Sequence, residues 1–227
     1  VLDDWFDLVL GSCCLVCAAP GRPLCRDCHS VLPRTGHPVR PEPCPPGLAP
    51  SFAAVPYADP VRALILAHKE RRAFALTRPL TAVLVGVLES VLAQCSTPVL
   101  LVPVPSAPGA ARRRGHDPVL RMTNAAARTL ARAGRDVRVA RLLRQRDRIA
   151  DQAGLDAAAR AANLAGRLAV TGALSRVAGS GVAMRLVLCD DVLTTGSTAR
   201  EAQRALEAVG LRVSAIATLA ATQRRLP

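Results

Sequence analysis

The chain has 227 residues, 50% of them apolar and 21% charged, a globular composition that excludes a largely disordered polymer. Its formal net charge is +13, and Lys69 is the only lysine among 30 basic residues. The five aromatic residues are Trp5, Phe6, Phe52, Tyr57 and Phe74, so none lies beyond residue 74.

Positive charge is concentrated. Residues 106–148 hold twelve arginines against Asp117, Asp136 and Asp147. Such a field favours phosphorylated ligands or nucleic acid, and a solvated basic face is the plainer account. At the N-terminal end, Asp3, Asp4 and Asp7 stand where a signal peptide would carry Lys or Arg. The longest apolar stretch, 80–92, is short for a membrane span and contains Glu89. The expectation is a cytoplasmic protein without membrane insertion. Because the first residue is Val1, either the start is non-standard or the N-terminal end is incomplete.

Five of the eight cysteines fall between residues 13 and 28, as Cys13-Cys14-x-x-Cys17 and Cys25-x-x-Cys28. Two C-x-x-C turns in a loop-rich segment are a zinc signature, because each turn offers two thiolates to one ion. Cys14, Cys17, Cys25 and Cys28 are the preferred ligands, with Cys13 able to replace Cys14. A closed four-thiolate site is structural rather than catalytic. Cys44, Cys95 and Cys189 stand alone and read as small buried residues.

Residues 33–50 contain seven prolines and read as an extended linker. Beyond it, the pattern predicts a strand over 52–57, helices over 60–68 and 74–94, and a fully buried strand over 98–104. A helix over 117–133, a second buried strand over 185–189, a helix over 196–209 stopped by Gly210, and a strand over 213–221 complete the series. Strands alternating with helices predict a parallel α/β sheet. The division is therefore 1–50, a zinc module with its linker, and 51–227, a sheet domain.

The most informative stretch runs Arg185-Leu-Val-Leu-Cys-Asp190-Asp191-Val-Leu-Thr194-Thr195-Gly196-Ser197-Thr198. A buried strand leads to two acids and then to a hydroxyl- and glycine-rich turn that opens a helix. Ligands of open α/β sheets bind beyond the carboxyl ends of strands. The backbone N–H groups of such a turn, with a helix N-terminus behind them, cradle an anion, and Thr194, Thr195, Ser197 and Thr198 add hydroxyl donors. Gly196 permits close approach of a phosphate. Carboxylates would repel that phosphate, so Asp190 and Asp191 suit two sugar hydroxyls, or water on a metal. Together the parts describe a site for a 5-phosphorylated ribose.

This segment closely resembles the phosphoribosyl pyrophosphate motif of type I phosphoribosyltransferases. The wider chain resembles the ComF family, phosphoribosyltransferase-like proteins linked to natural competence, which also carry an N-terminal C-x-x-C pair. Val102-Pro-Val-Pro105 followed by Arg112-x-Arg114-Gly115 is similar to that family's V-P-V-P and R-x-x-R-G segments. So is the series Arg144, Gln152, Leu155, Arg160, Asn163 and Gly166 to its R…Q-x-x-L…R-x-x-N-x-x-G segment. The chain departs at Arg114-Gly115-His116-Asp117-Pro118, where the family commonly reads R-G-F-N-Q.

The resemblance implies an α/β, parallel-sheet type I phosphoribosyltransferase fold with a small N-terminal four-cysteine zinc module. It implies a magnesium-dependent phosphoribosyltransferase binding phosphoribosyl pyrophosphate, with Asp190 and Asp191 as the catalytic pair. Pyrophosphate would be held by the backbone near Ser106 and by Lys69, Arg112 and Arg114. Residues 144–166 would cover the site. The alternative is an accessory protein of DNA uptake acting on single-stranded DNA or on competence-machinery proteins. No general base is visible in the sequence: His116 is the best-placed histidine, ahead of His29, His37 and His68, but it lies where the chain departs from the family, and a surface or structural role is the plainer account.

Overall fold

The computed structural model describes residues 13–93, 97–106, 109, 115–146, 166–172 and 184–222. Its centre is a six-stranded, mostly parallel sheet. The strands are β1 (His37–Val39), β2 (Ser51–Pro56), β3 (Val99–Pro103), β4 (Val137–Val139), β7 (Arg185–Leu193) and β8 (Val213–Ala221), in the order β1-β2-β8-β7-β3-β4. Only the β1–β2 pair is antiparallel. Strands β5 (Leu143–Gln145) and β6 (Leu168–Val170) form a separate antiparallel pair.

Side-chain alternation along each strand splits the core into two layers. On one face, Leu101, Val187, Cys189 and Ala217 meet helix α2 (Val61–Glu70), helix α3 (Thr77–Leu92) and helix α4 (Pro118–Arg132). On the other face, Leu100, Val102, Leu186, Leu188 and Ile216 meet helix α5 (Ser197–Glu207) and the β5–β6 pair. Helix α5 lies close because its inward residues include Ala199, Ala202 and Ala205. Among the described residues, 74–92 is the one helical segment long and apolar enough to cross a membrane. Here its Leu80, Val83, Leu84, Val87, Leu88 and Leu92 are buried in the core.

The alternating pattern is thus present, with three differences. Strand β7 runs on through the two acids to Leu193 instead of ending at residue 189, because it stays paired with β8 through Asp190–Thr218 and Leu193–Ala221. Strand β4 and the β5–β6 pair are each three residues per strand, too short to leave a periodic signal.

The third difference is that the proline-rich segment is not a free spacer. It contains β1, which hydrogen-bonds along β2, and the chain before and after β1 is packed on both faces of the sheet. Proline lacks a donor, so this segment can only be an edge, and β1 is the edge strand.

Candidate functional site

The Cys cluster is built by two turns and a short helix, α1 (Arg26–Ser30). In the first turn Ala18 N–H donates to Cys14 O and Cys14 N–H to Ala19 O, both at 2.8 Å. In the second, Cys25 caps the helix by accepting from Cys28 N–H at 3.4 Å. One sulfur from each of Cys14, Cys17, Cys25 and Cys28 lies within 4.8 Å of all the others. The Cys17 and Cys25 sulfurs are 3.6 Å apart. A tetrahedral zinc with Zn–S near 2.3 Å requires sulfurs about 3.8 Å apart, so this donor set fits the ion.

The clustered thiols differ in how readily they ionise. Burial pushes the Cys14 thiol up, but N–H donors from Cys25, Cys17 and Val16 outweigh it and bring it down to about 6. Hydrogen bonding to Cys25, with burial, pushes Cys28 well up. With all four ionised, sulfurs this close would need a dication to balance them. Cys14 rather than Cys13 belongs to the set: Cys13 is exposed and pairs through its backbone with Pro20. Cys44 is half-buried and Cys189 fully buried, with Cys189 pushed up to about 12 by desolvation. Cys95 lies outside the described residues.

The second candidate site lies where the strand order reverses. Strand β3 is followed on one side by its neighbour β4, and β7 on the other side by β8, so the loops leaving β3 and β7 diverge at the carboxyl edge. Asp190 and Asp191 sit near the end of β7. Residues 194–196 make the turn, and Gly196 takes a left-handed φ of +72° as the residue preceding α5. Thr194 and Thr195 are exposed, as is Thr198, while Ser197 is half-buried. The Thr195 and Ser197 hydroxyls are 2.9 Å apart, and the Thr222 hydroxyl donates to Thr194 O at 3.1 Å, bracing the turn from the end of β8.

The two acids differ. Asp191 is buried, and its Oδ2 accepts from Lys69 Nζ at 2.6 Å across 122 positions of sequence. Asp190 Oδ1 accepts from the Asp191 backbone N–H at 2.8 Å. Burial, followed by the adjacent Asp191 charge, pushes the Asp190 carboxyl well above the usual carboxylate range. Two adjacent carboxyls offer oxygens to two neighbouring hydroxyls.

Lys69 follows His68, whose Nε2 lies 3.0 Å from the Thr77 hydroxyl. Burial, then the neighbouring His116 and Arg121, pushes the His68 ring down to about 4. His116 Nε2–H donates to His68 O at 3.3 Å, and its ring stands edge-on to Phe74 at 4.9 Å. His116 therefore ties the loop after β3 to the last turn of α2.

Of the residues expected to bind pyrophosphate, Lys69 is joined to Asp191, and Ser106 stands three positions beyond the end of β3, which is the strand paired with β7. Arg112 and Arg114 lie outside the described residues, as does most of the 144–166 segment. Its flanks are held: Glu201 Oε1 accepts from Gly166 N–H and Leu168 N–H, and Gln145 donates to Pro105 O. Arg121, Arg128, Arg132, Arg138, Arg141 and Arg144 are exposed along α4, β4 and β5.

Sequence reading missed the Lys69–Asp191 pair and the roles of Glu201 and Gln203. The two buried polar residues did carry a signal: they interrupt the small apolar face formed by Ala199, Ala202, Ala205 and Leu206. A scan of the sequence against models of known protein families finds no match, and a search of curated proteins finds none.

Proposed function

We propose that this chain is a phosphoribosyltransferase-like protein that binds phosphoribosyl pyrophosphate and transfers its phosphoribosyl group to an acceptor. One observation carries the reading: Asp190 and Asp191 stand beside a left-handed Gly196 turn that opens α5, with Lys69 Nζ 2.6 Å from Asp191. Two hydroxyl-binding carboxyls, an anion cradle and a cation then share the carboxyl edge where strand order reverses. The resemblance of 185–198 to the phosphoribosyl pyrophosphate motif, and of the chain to the ComF family, supports the same reading.

In such a transfer the acceptor's lone pair forms the new bond to ribose C1. The C1–oxygen bond breaks, and its electron pair leaves with pyrophosphate. The turn would anchor the 5-phosphate while the Asp pair orients the ribose, so catalysis is positioning and charge management. Lys69, released from Asp191 as the sugar hydroxyls take its place, would turn toward the pyrophosphate. Magnesium bound with the donor would supply neutralisation of the leaving group, and Asp190 and Asp191 would hold it directly or through water.

The exposed arginines of α4, β4 and β5 favour a second reading, an accessory role on single-stranded DNA in DNA uptake without transfer chemistry. No aromatic residue beyond Phe74 is present to stack bases, which weighs against it.

The test is calorimetric titration of phosphoribosyl pyrophosphate with magnesium into the wild type and into Asp190→Asn/Asp191→Asn. Saturable binding that the double variant loses supports the reading. A folded, zinc-loaded wild type that binds nothing overturns it.

A further inference from the structure

Residues 31–49 form a strap that wraps the β1 edge of the sheet. It leaves the Cys cluster, and Leu32 is buried in the core layer on the α3 face. Gly36 N–H donates to the Ser90 hydroxyl of α3 at 2.9 Å. After β1 the strap emerges on the opposite face, where Leu48 and Ala49 join the α5 layer. There Pro41, Pro45 and Leu48 surround Gly196: a Cβ on that glycine would meet Leu48 Cδ2 at 3.0 Å, Pro41 Cγ at 3.1 Å and Pro45 Cδ at 3.2 Å.

Three hydrogen-bonded contacts from α5 clip this end in place. Gln203 Oε1 accepts from Ala49 N–H at 2.9 Å and Gln203 Nε2 donates to Gly47 O at 2.8 Å. Arg200 Nε donates to Pro46 O at 3.0 Å. Gln203 is buried, so its amide is committed to the strap and to Glu207 rather than to water. Prolines stiffen the strap because their φ is already fixed.

We propose that residues 41–49 of this strap are a positioning element for the anion-binding turn. They back Gly196 from behind, hold its left-handed conformation, and so aim the N–H groups at the start of α5 at a phosphate. The strap touches no substrate itself. This inference rests on the phosphate-binding role of the turn proposed above. It adds that a segment more than 140 positions away sets the turn's affinity.

The test uses the full chain with Gln203→Met, which keeps side-chain size and removes the clip. Ribose 5-phosphate is the probe, with hydrogen exchange of the peptide covering 194–200 as a second readout. The expected result is binding weakened about tenfold or more, as when one charge-assisted hydrogen bond is mis-aimed. Exchange over 194–200 should accelerate while β3 and the first half of β7 stay protected. Unchanged affinity in a variant that binds overturns the proposal, as does unchanged exchange. If the wild type binds no ribose 5-phosphate, the phosphate reading fails. The positioning role then falls with it, whatever the exchange shows. Should Gln203→Met fail to fold, Leu48→Ala, which removes one wall of Gly196, is read by the same two measurements.

Discussion

Replacing Gly86 by alanine sets two effects of known sign against each other. Gly86 lies inside α3, where alanine is preferred over glycine by about 1 kcal/mol on helix propensity alone. An added Cβ, however, would overlap the carbonyl of Arg34 and stand 2.8 Å from its Cα. These are backbone atoms, so no side chain can rotate away. The strap must lift, yet it is pinned by Gly36 N–H on Ser90 and by the β1–β2 pairing, and a Cβ at Gly36 would itself lie 2.8 Å from Val87 Cα. Overpacking of this kind costs about 1–3 kcal/mol. Loss of the Gly36–Ser90 bond adds about 1 kcal/mol. Overlap therefore wins, and Gly86→Ala is destabilised by about 1–3 kcal/mol net, lowering Tm by about 3–10 °C for a chain of this size. Thermal unfolding followed by circular dichroism reads this, with Gly172→Ala as the comparison because an added Cβ there meets no atom of the described residues within 4 Å. A Gly86→Ala protein that melts at or above the wild-type temperature refutes the close passage of the strap over α3.

Three further outcomes are expected. Gly196→Ala combines left-handed strain with contact against Leu48, Pro41 and Pro45, and should lose about 2–4 kcal/mol in denaturant titration together with ribose 5-phosphate binding. Cys14→Ser should lose most of the zinc measured by metal analysis while Cys13→Ser retains it; equal retention in both would remove Cys14 from the ligand set. His68, neutral in the fold and held down to about 4, contributes stability that is fully present above its unfolded value near 6.5 and drains away as pH falls toward 4. The loss approaches about 3 kcal/mol at most, and His68→Gln should flatten that part of the pH–stability curve. An unaltered slope in the variant would assign the acid sensitivity to other groups.

The Cys cluster was legible because two C-x-x-C turns bring sulfurs together by local geometry alone. The spacing also preferred Cys14 over Cys13, and the fold secures that preference through Cys25 N–H, which donates to the Cys14 sulfur at 3.4 Å from 11 positions away. The Asp190–Thr198 segment was legible for a similar reason, since strand, acids, turn and helix start are contiguous. What the acids face was not legible, because Lys69 reaches Asp191 only once α2 is laid against the sheet.

The proline-rich segment marks the limit most clearly. Its composition is that of a linker, and seven prolines do determine an extended, donor-poor chain. Whether such a chain hangs in water or lies along an edge depends on what it meets. Here it meets α3, where Gly36 and Gly86 allow close passage, then the open edge of β2, then Gln203 on α5. By itself the sequence determined the elements whose signals are periodic or contiguous: the alternating strands and helices, the paired cysteine turns and the hydroxyl- and glycine-rich turn that opens α5. Tertiary structure alone decided the partners separated by tens to hundreds of positions: Lys69 with Asp191, Glu201 with the β5–β6 pair, and the strap with Gly196. The physical reason is that hydrogen bonds and close packing act over a few ångströms of space, and only the folded backbone converts sequence distance into that range.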